Sequence, residues 1–457
     1  MIDARLEAVV KAYDVRGRSP EQLDPFLTRA LGEAFALETG VDSAGTGGGG
    51  TVVIGHDMRD TSPGLVTAFA DGVRAQGGNV IDIGLASTDL LYFASGDLDL
   101  PGVMITASHN PAAYNGIKLC RAGAKPIGYD TGLSAIAEKA TELLGRATFP
   151  EPTGNIEQLD ALSRYAAYLH TIVPVPAGRR LRVVADAGNG MAGHTVPSVF
   201  ASLDVDLTPM YFELDGSFPN HDANPLDHST LVDLQAKVRE TGADIGLAFD
   251  GDADRCFVVD ELGDVVSPSA ITGLIASRAL LTTPGATILH NVITSRAVPE
   301  IITENGGIAV RTPVGHSLIK AEMARTGAVF GGEHSGHFYF KDFFLADSGM
   351  IAALHVMAAL VETDGTVSEL MAQYERYVSS GEINSTVDDG AVVIERLAVS
   401  YAGQGQDRMD GLTVTGDTWW FNVRASNTEP LLRLNVEGDD EDTMARVRDD
   451  VLAVIRT

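Results

Sequence analysis

Short runs of β-branched and apolar residues recur along the chain, and nearly every one stops at a loop of glycine, acid or serine. TVVIGHD (51–57), NVIDIG (79–84) and GVMITAS (102–108) come first. Such runs are the length of buried strands rather than helices. After the first of them a helical pattern opens at Ser62, with Pro63 where a helix start accommodates it. Strand, helix, strand in this order predicts a mostly parallel sheet covered by helices. The pattern restarts at LRVVADAGNG (181–190) and ADIGLAFDGD (243–252), then at ATILHNV (286–292) and AVFGGEHSGH (328–337). The class expected is α/β.

The C-terminal stretch changes period. GLTVTGDTWWFNVRAS (411–426) and LLRLNVEGD (431–439) alternate like hairpin strands. After them Met444, Val447, Val451 and Ile455 fall on one helical face. A smaller α+β domain is expected there. At roughly 100–200 residues per domain, a chain of 457 residues divides into three or four domains. Breaks are expected near EPTGN (151–155) and near 262–268.

Lys and Arg number 33 against 62 Asp and Glu, a net charge of −29 with His neutral. A field of that sign repels a nucleic-acid backbone. Any phosphate site must therefore be assembled from local cations and backbone N–H groups. Two cysteines, Cys120 and Cys256, form no disulfide framework and suit a reducing compartment. The opening MIDARLEAVVKAYDVRG has early acids and no apolar h-region. The longest apolar stretch, near 350–361, is too short to span a bilayer and contains His355. The expectation is a cytoplasmic protein with neither membrane nor nucleic acid as partner.

Four loops carry candidate chemistry. In DGDADR (250–255), Asp250, Asp252 and Asp254 offer hard oxygen ligands at alternate positions, with Arg255 beside them. Few ligands, with room for water and phosphate oxygens, suit Mg²⁺. An EF-hand is excluded because its required glycine is Arg255 here, although Glu261 stands at the twelfth position. In ITASHNP (105–111), Ser108 and His109 sit at a strand end, Asn-Pro forces a turn, and Lys118 follows. A serine hydroxyl is a weak nucleophile without a base or metal. In GGEHSGH (331–337), Glu333 and Ser335 can bond the vicinal hydroxyls of a sugar. His334 and His337 lack the H-E-x-x-H pattern of a helical zinc site. In RASNTEP (424–430), Arg424, Ser426, Asn427 and Thr428 form a phosphate cradle. The plainer readings are an acidic surface turn, a capping serine, a glycine-rich connection and a polar hairpin end. GNGMAG (188–193) matches G-x-G-x-x-G after a strand, with Glu213 downstream. Alone it suggests a dinucleotide enzyme, but that leaves the acidic and RASNT loops unexplained.

In this order the four loops resemble those of the α-D-phosphohexomutases. KAYDVRG (11–17) and LDGSFPNH (214–221) are similar to further segments of that family, so the likeness spans essentially the whole chain. The resemblance implies three topologically similar α/β domains with mixed, mostly parallel sheets and a smaller C-terminal α+β domain around a central cleft. They are a phosphoserine domain (1–152), a metal-binding domain (153–264), a sugar-recognition domain (265–375) and a phosphate-binding domain (376–457). It implies that Ser108 carries the phosphoryl group and that Asp250, Asp252 and Asp254 hold Mg²⁺ with a phosphate oxygen on Ser108. Arg16, Lys118 and Arg255 surround the transferring group, with Tyr13 and His109 beside it. Glu333 and Ser335 read sugar hydroxyls, Gly315, His316 and His337 face the substrate, and Arg424, Ser426, Asn427 and Thr428 clamp the idle phosphate.

The implied reaction interconverts mannose 1- and 6-phosphate, and glucose 1- and 6-phosphate, through phosphoserine and a hexose 1,6-bisphosphate, which is also the activator. Closure of the fourth domain would exclude water. The hydroxyl proton goes to Lys118 or to His337. A lysine can take it only if its pKa is depressed from about 10.4. Tyr13-Asp14-Val15-Arg16-Gly17 and Ser426-Asn427-Thr428 favour the phosphomannomutase/phosphoglucomutase branch over the glucosamine one. His334, where dual-specificity members often carry Met, and Val292-Ile293-Thr294, where some carry a lysine, bear on mannose against glucose. The alternatives are a glucose-preferring enzyme, a phosphoglucosamine mutase, a Mg²⁺-dependent sugar-phosphate phosphatase and a silent sugar-phosphate sensor. A monomer or homodimer is expected.

Overall fold

A computed structural model of the protein describes residues 2–42, 50–146, 148–425 and 431–457, without the side chains of His316 and Ser317. Ser426, Asn427, Thr428 and most of the GTGGGG loop lie outside the described residues. The chain divides into two compact units, one of Met1–Val266 with Gly336–Ser368 and one of Ser267–Ser335 with Glu369–Thr457.

The first unit holds two mixed sheets. In the first, strand Thr51–His56 lies parallel between Asn79–Leu85 and Gly102–Ile105, and Ile156–Gln158 adds in parallel beyond Asn79–Leu85. Antiparallel strands Tyr114–Arg121 and Val15–Arg18 follow on the other side. That reversal matters for chemistry. Strand Gly102–Ile105 leaves the sheet into the serine loop, and the chain returns as Tyr114–Arg121 with Lys118 opposite Met104. Arg16 then pairs with Gly116. Two cations thus come back beside the loop that the parallel strands project. The second sheet repeats the device. Leu181–Asp186 lies parallel between Val205–Met210 and Ile245–Phe249, which turns through the acidic loop into antiparallel Cys256–Val259.

Local sequence explains the covering helices. Asp24 caps helix Pro25–Thr39 by accepting the Leu27 N–H at 2.7 Å, Pro25 opens it and left-handed Gly40 ends it. Its Phe35 packs against Phe69 of helix Ser62–Ala75, centroids 5.6 Å apart, in one core with Ile54 and Val103. Fully burying such side chains stabilises by roughly 1.5–3 kcal/mol each. The same unit contains the hairpin Phe338–Phe340/Ala346–Asp347 and the helix Gly349–Val361, capped by Ser348.

In the second unit, Thr287–Asn291 lies parallel between Ile308–Thr312 and Phe330–Gly332. The C-terminal part is an antiparallel sheet in the order Val378–Thr386, Leu431–Gly438, Trp419–Ala425, Leu412–Thr415, Gly405–Asp407. Helices Gly390–Ser400 and Glu441–Ile455 close its core, and Met444, Val447, Val451 and Ile455 are all buried there. The fold is α/β with a C-terminal α+β part. Among the described residues no helix is long and apolar enough to cross a membrane.

Candidate active site

Ser108 follows the buried strand Gly102–Ile105 and takes the left-handed region, φ +51°. For an L-residue that conformation costs roughly 1–2 kcal/mol, so the surroundings must hold it. The Thr106 hydroxyl accepts the Ser108 N–H at 2.9 Å, and the Asn110 N–H bonds the Ala107 carbonyl at 3.0 Å. Ser108 Oγ donates to Asp250 Oδ2 at 2.9 Å and lies 3.2 Å from His109 Nδ1.

The acidic loop touches the serine loop backbone to backbone. A Cβ on Gly251 would stand 2.5 Å from the Ser108 carbonyl oxygen, so only glycine fits between them. Gly251 is buttressed from behind by the G-N-G turn. A Cβ on Gly190 would meet the Gly251 oxygen at 2.7 Å, and the Met191 N–H donates to that oxygen at 2.9 Å. The Asn189 amide bonds the Glu213 backbone carbonyl at 2.9 Å. The glycine motif therefore supports the acidic loop, and the space a pyrophosphate would need is filled by protein.

Asp250, Asp252 and Asp254 are at most 1 % exposed. Each brings a carboxylate oxygen within 4.8 Å of the others. Asp250 accepts the Arg255 backbone N–H (3.2 Å) and Nε (2.9 Å). Asp252 Oδ2 accepts Thr88 Oγ1 (2.6 Å) and Lys118 Nζ (2.7 Å), and Asp254 Oδ2 accepts Lys118 Nζ (2.6 Å). Asp252 Oδ1 and Asp254 Oδ1 are buried with no hydrogen-bond partner among the described residues. Such oxygens are costly unless they meet a cation. Three carboxylates face two cations, and burial with the neighbouring carboxylates of Asp254 and Asp252 pushes Asp250 up to about 7, against Arg255. Burial also acts to raise Asp252, but the Lys118 ammonium outweighs it and holds that carboxyl below its usual range. The donor set, the two orphaned oxygens and the excess negative charge fit a divalent cation.

Lys118 differs from the depressed lysine that a proton acceptor requires. Burial lowers its pKa, but Asp252 and Asp254 outweigh burial and hold it well above its ordinary value. Held this way, its ammonium is a local positive charge beside the acidic loop. His337 forms an isolated bridge with Arg255, its Nε2 3.6 Å from Asp254 Oδ1 and 3.9 Å from Asp347 Oδ2. Arg16 donates to Asn110 Oδ1 (2.7 Å) and pairs with Asp14 (2.5 Å), and Tyr13 beside it is half-buried. Burial, then Arg255 and Arg16, hold the His109 imidazole well below its ordinary pKa. One unit thus gathers Arg16, Ser108, His109, Lys118, the three aspartates, Arg255 and His337.

The second unit holds the other candidates. Glu333, 2 % exposed, accepts the Gly315 N–H at 3.2 Å and the Asn291 amide at 3.3 Å. Gly315 caps helix His316–Thr326, and Ser335 is half-buried. Arg424, 7 % exposed, donates to Glu382 Oε2 at 2.7 Å. Thr88, Asn291 and Glu382 escaped the sequence reading. Thr88 alone had a signal, an S-T-D cap directly after a strand.

The comparisons agree over the whole chain. Residues 7–144, 163–263, 267–377 and 382–454 match phosphoglucomutase/phosphomannomutase alpha/beta/alpha domains I, II and III and the C-terminal domain respectively. A protein of Xanthomonas campestris pv. campestris (strain B100) named for phosphohexose mutases is 40% identical over 431 residues, 93% of this chain and 94% of that one. A phosphomannomutase of Escherichia coli is 38% identical over 459 residues, 98% of each. A crystal structure of a phosphoglucomutase/phosphomannomutase family protein from Burkholderia thailandensis has a TM-score of 0.88 at 32% identity, covering 100% of this chain and 98% of its own. With every domain matched in order, the chain belongs to the phosphoglucomutase/phosphomannomutase family.

Proposed function

We propose that this phosphohexomutase interconverts mannose 1-phosphate and mannose 6-phosphate, and the glucose phosphates likewise, with Ser108 as phosphoryl carrier. The observation that carries the reading is the bond from Ser108 Oγ to Asp250 on a backbone held at positive φ. That geometry presents one hydroxyl to one acidic loop.

The sugar hydroxyl attacks phosphorus on Ser108. The bond from phosphorus to Oγ breaks as the bond to the sugar oxygen forms, and His337 takes the hydroxyl proton. The resulting hexose 1,6-bisphosphate turns over and returns its other phosphoryl group to Ser108. Such transfers depend on in-line positioning and charge neutralisation. Lys118, Arg255 and Arg16 supply local positive charge on a chain of net charge −29. Asp250, Asp252 and Asp254 would hold Mg²⁺, which when bound neutralises charge on the transferring group. Glu333 and Ser335 bond sugar hydroxyls. Arg424, with Ser426, Asn427 and Thr428, clamps the idle phosphate, and a guanidinium fork tolerates either end of the sugar. Trace hexose 1,6-bisphosphate loads Ser108 and so activates the enzyme. The segments 1–152, 153–264, 265–375 and 376–457 serve as the phosphoserine, metal, sugar and phosphate domains.

Ser108→Ala is the test. Turnover should nearly vanish with the melting temperature unchanged, and near-normal activity would remove the carrier role.

A further inference from the structure

Arg59 is 1 % exposed, and no step of the transfer described for Ser108 uses it. A guanidinium has five N–H hydrogens in a fixed planar fork, and here every one finds an acceptor. Nε donates to Asp57 Oδ2 at 3.1 Å. Nη1 donates to the carbonyls of Pro111 (2.9 Å) and Tyr114 (3.0 Å). Nη2 donates to those of Ser108 (2.8 Å) and Asn110 (2.6 Å). All but one of these bonds end on the backbone of residues 108–114, the loop that carries the serine.

The fork is itself anchored. Asp57 Oδ1 accepts Ser62 Oγ at 2.6 Å and the Arg59 N–H at 3.1 Å. The Phe218 ring covers the guanidinium, 5.0 Å from its centroid, and a Cβ on Gly216 would come within 2.6 Å of Arg59 Cα. The Ser108 carbonyl that Nη2 grips is also the one against Gly251. Fixing that oxygen fixes the peptide plane after Ser108, and with it the left-handed backbone from which Oγ reaches Asp250.

We propose that Arg59 is a positioning residue for phosphoryl transfer, whose fork locks the carbonyls of residues 108–114 and so aims Ser108 Oγ at the three-aspartate loop. The proposal rests on the reading of Ser108 as phosphoryl carrier. With every guanidinium N–H already taken by protein and the side chain buried, Arg59 acts through the loop.

Arg59→Lys keeps the charge but loses the planar fork, so it cannot satisfy four carbonyls. With glucose 1-phosphate, kcat should fall about 100-fold, the cost of roughly 1 Å of misplacement. KM should stay within about threefold, because no substrate contact is removed. The ³¹P resonance of phosphorylated Ser108 should broaden or split as the loop samples several orientations. Phe218→Leu thins the cover but leaves all five hydrogen bonds. It should lower the melting temperature while keeping kcat within about threefold. Full kcat in Arg59→Lys would overturn the proposal. So would equal losses of kcat in both variants at equal losses of stability. If Arg59→Lys does not fold, Asp57→Asn removes the anchor's charge at constant shape and takes its place in every measurement. A kcat loss at steady KM then supports the positioning role, and full kcat overturns it. A folded wild type that is inactive on mannose and glucose phosphates would instead retire the carrier reading, and the Arg59 role with it.

Discussion

Gly251→Ala adds one methyl group to the site and removes no functional atom. The new Cβ would lie 2.5 Å from the Ser108 carbonyl oxygen and 3.3 Å from its carbon, where ordinary contact begins at 3.4 Å. Gly251 does not occupy the left-handed region, so the alanine backbone is tolerated and the effect is steric. Neither side yields easily. The carbonyl is held by Arg59 Nη2 at 2.8 Å, and Gly251 is held by the Met191 N–H at 2.9 Å. About 0.9 Å must therefore open between two loops packed at close density, enough to stretch the 2.9 Å bond from Ser108 Oγ to Asp250 out of range. A displacement of about 1 Å costs about 100-fold in rate. Overpacking costs roughly 1–3 kcal/mol, a few degrees in melting temperature. The assay is conversion of glucose 1-phosphate to glucose 6-phosphate, coupled to a dehydrogenase, with thermal melts in parallel. Activity within about threefold of wild type would refute the argument that these two loops meet backbone to backbone.

Other consequences follow from the same geometry. Asp252→Asn weakens a ligand and frees Lys118, so the rate should fall by at least about tenfold and half-saturation by Mg²⁺ should rise; an unchanged Mg²⁺ titration would place the cation elsewhere. Arg424→Ala should raise KM roughly 10–100-fold for both mannose and glucose 1-phosphate, the value of a charge-assisted bond; a change for one sugar only would contradict a shared clamp. Asp89 is fully buried, and burial raises its carboxyl to about 6 although Ser348, Ser87 and Tyr165 donate to it. The fold thus favours the neutral acid: its contribution is complete below the unfolded pKa of about 3.9 and is lost as pH rises through about 6, up to about 3 kcal/mol. Wild type should lose stability relative to Asp89→Asn between those pH values, and a constant difference in denaturant melts would contradict this.

Periodicity was a sound guide where a single element decides its own structure. TVVIGHD forms the strand Thr51–His56, Ser62 and Pro63 open helix Ser62–Ala75, and Met444, Val447, Val451 and Ile455 line the buried face of the last helix. The D-G-D-A-D-R and T-A-S-H-N-P loops were legible because their chemistry is written in adjacent letters. What could not be read depends on partners far along the chain. Thr88 bonds Asp252 across 164 positions, and Arg59 grips carbonyls about fifty residues away, leaving no local pattern. Lys118 is held by carboxylates 134 and 136 positions on. The G-N-G turn, whose dinucleotide reading left the acidic loop unexplained, belongs to that loop: its glycine makes room for Gly251 rather than for a nucleotide.

The central claim is transfer between the two ends of one sugar through Ser108. The most direct test is ³¹P NMR of mannose 1-phosphate with the protein, Mg²⁺ and a trace of hexose 1,6-bisphosphate, with glucose 1-phosphate in parallel. Growth of the 6-phosphate resonance at constant total phosphomonoester, in both tubes, is the expected result. Release of inorganic phosphate without 6-phosphate would contradict it and make the phosphoserine a hydrolytic intermediate.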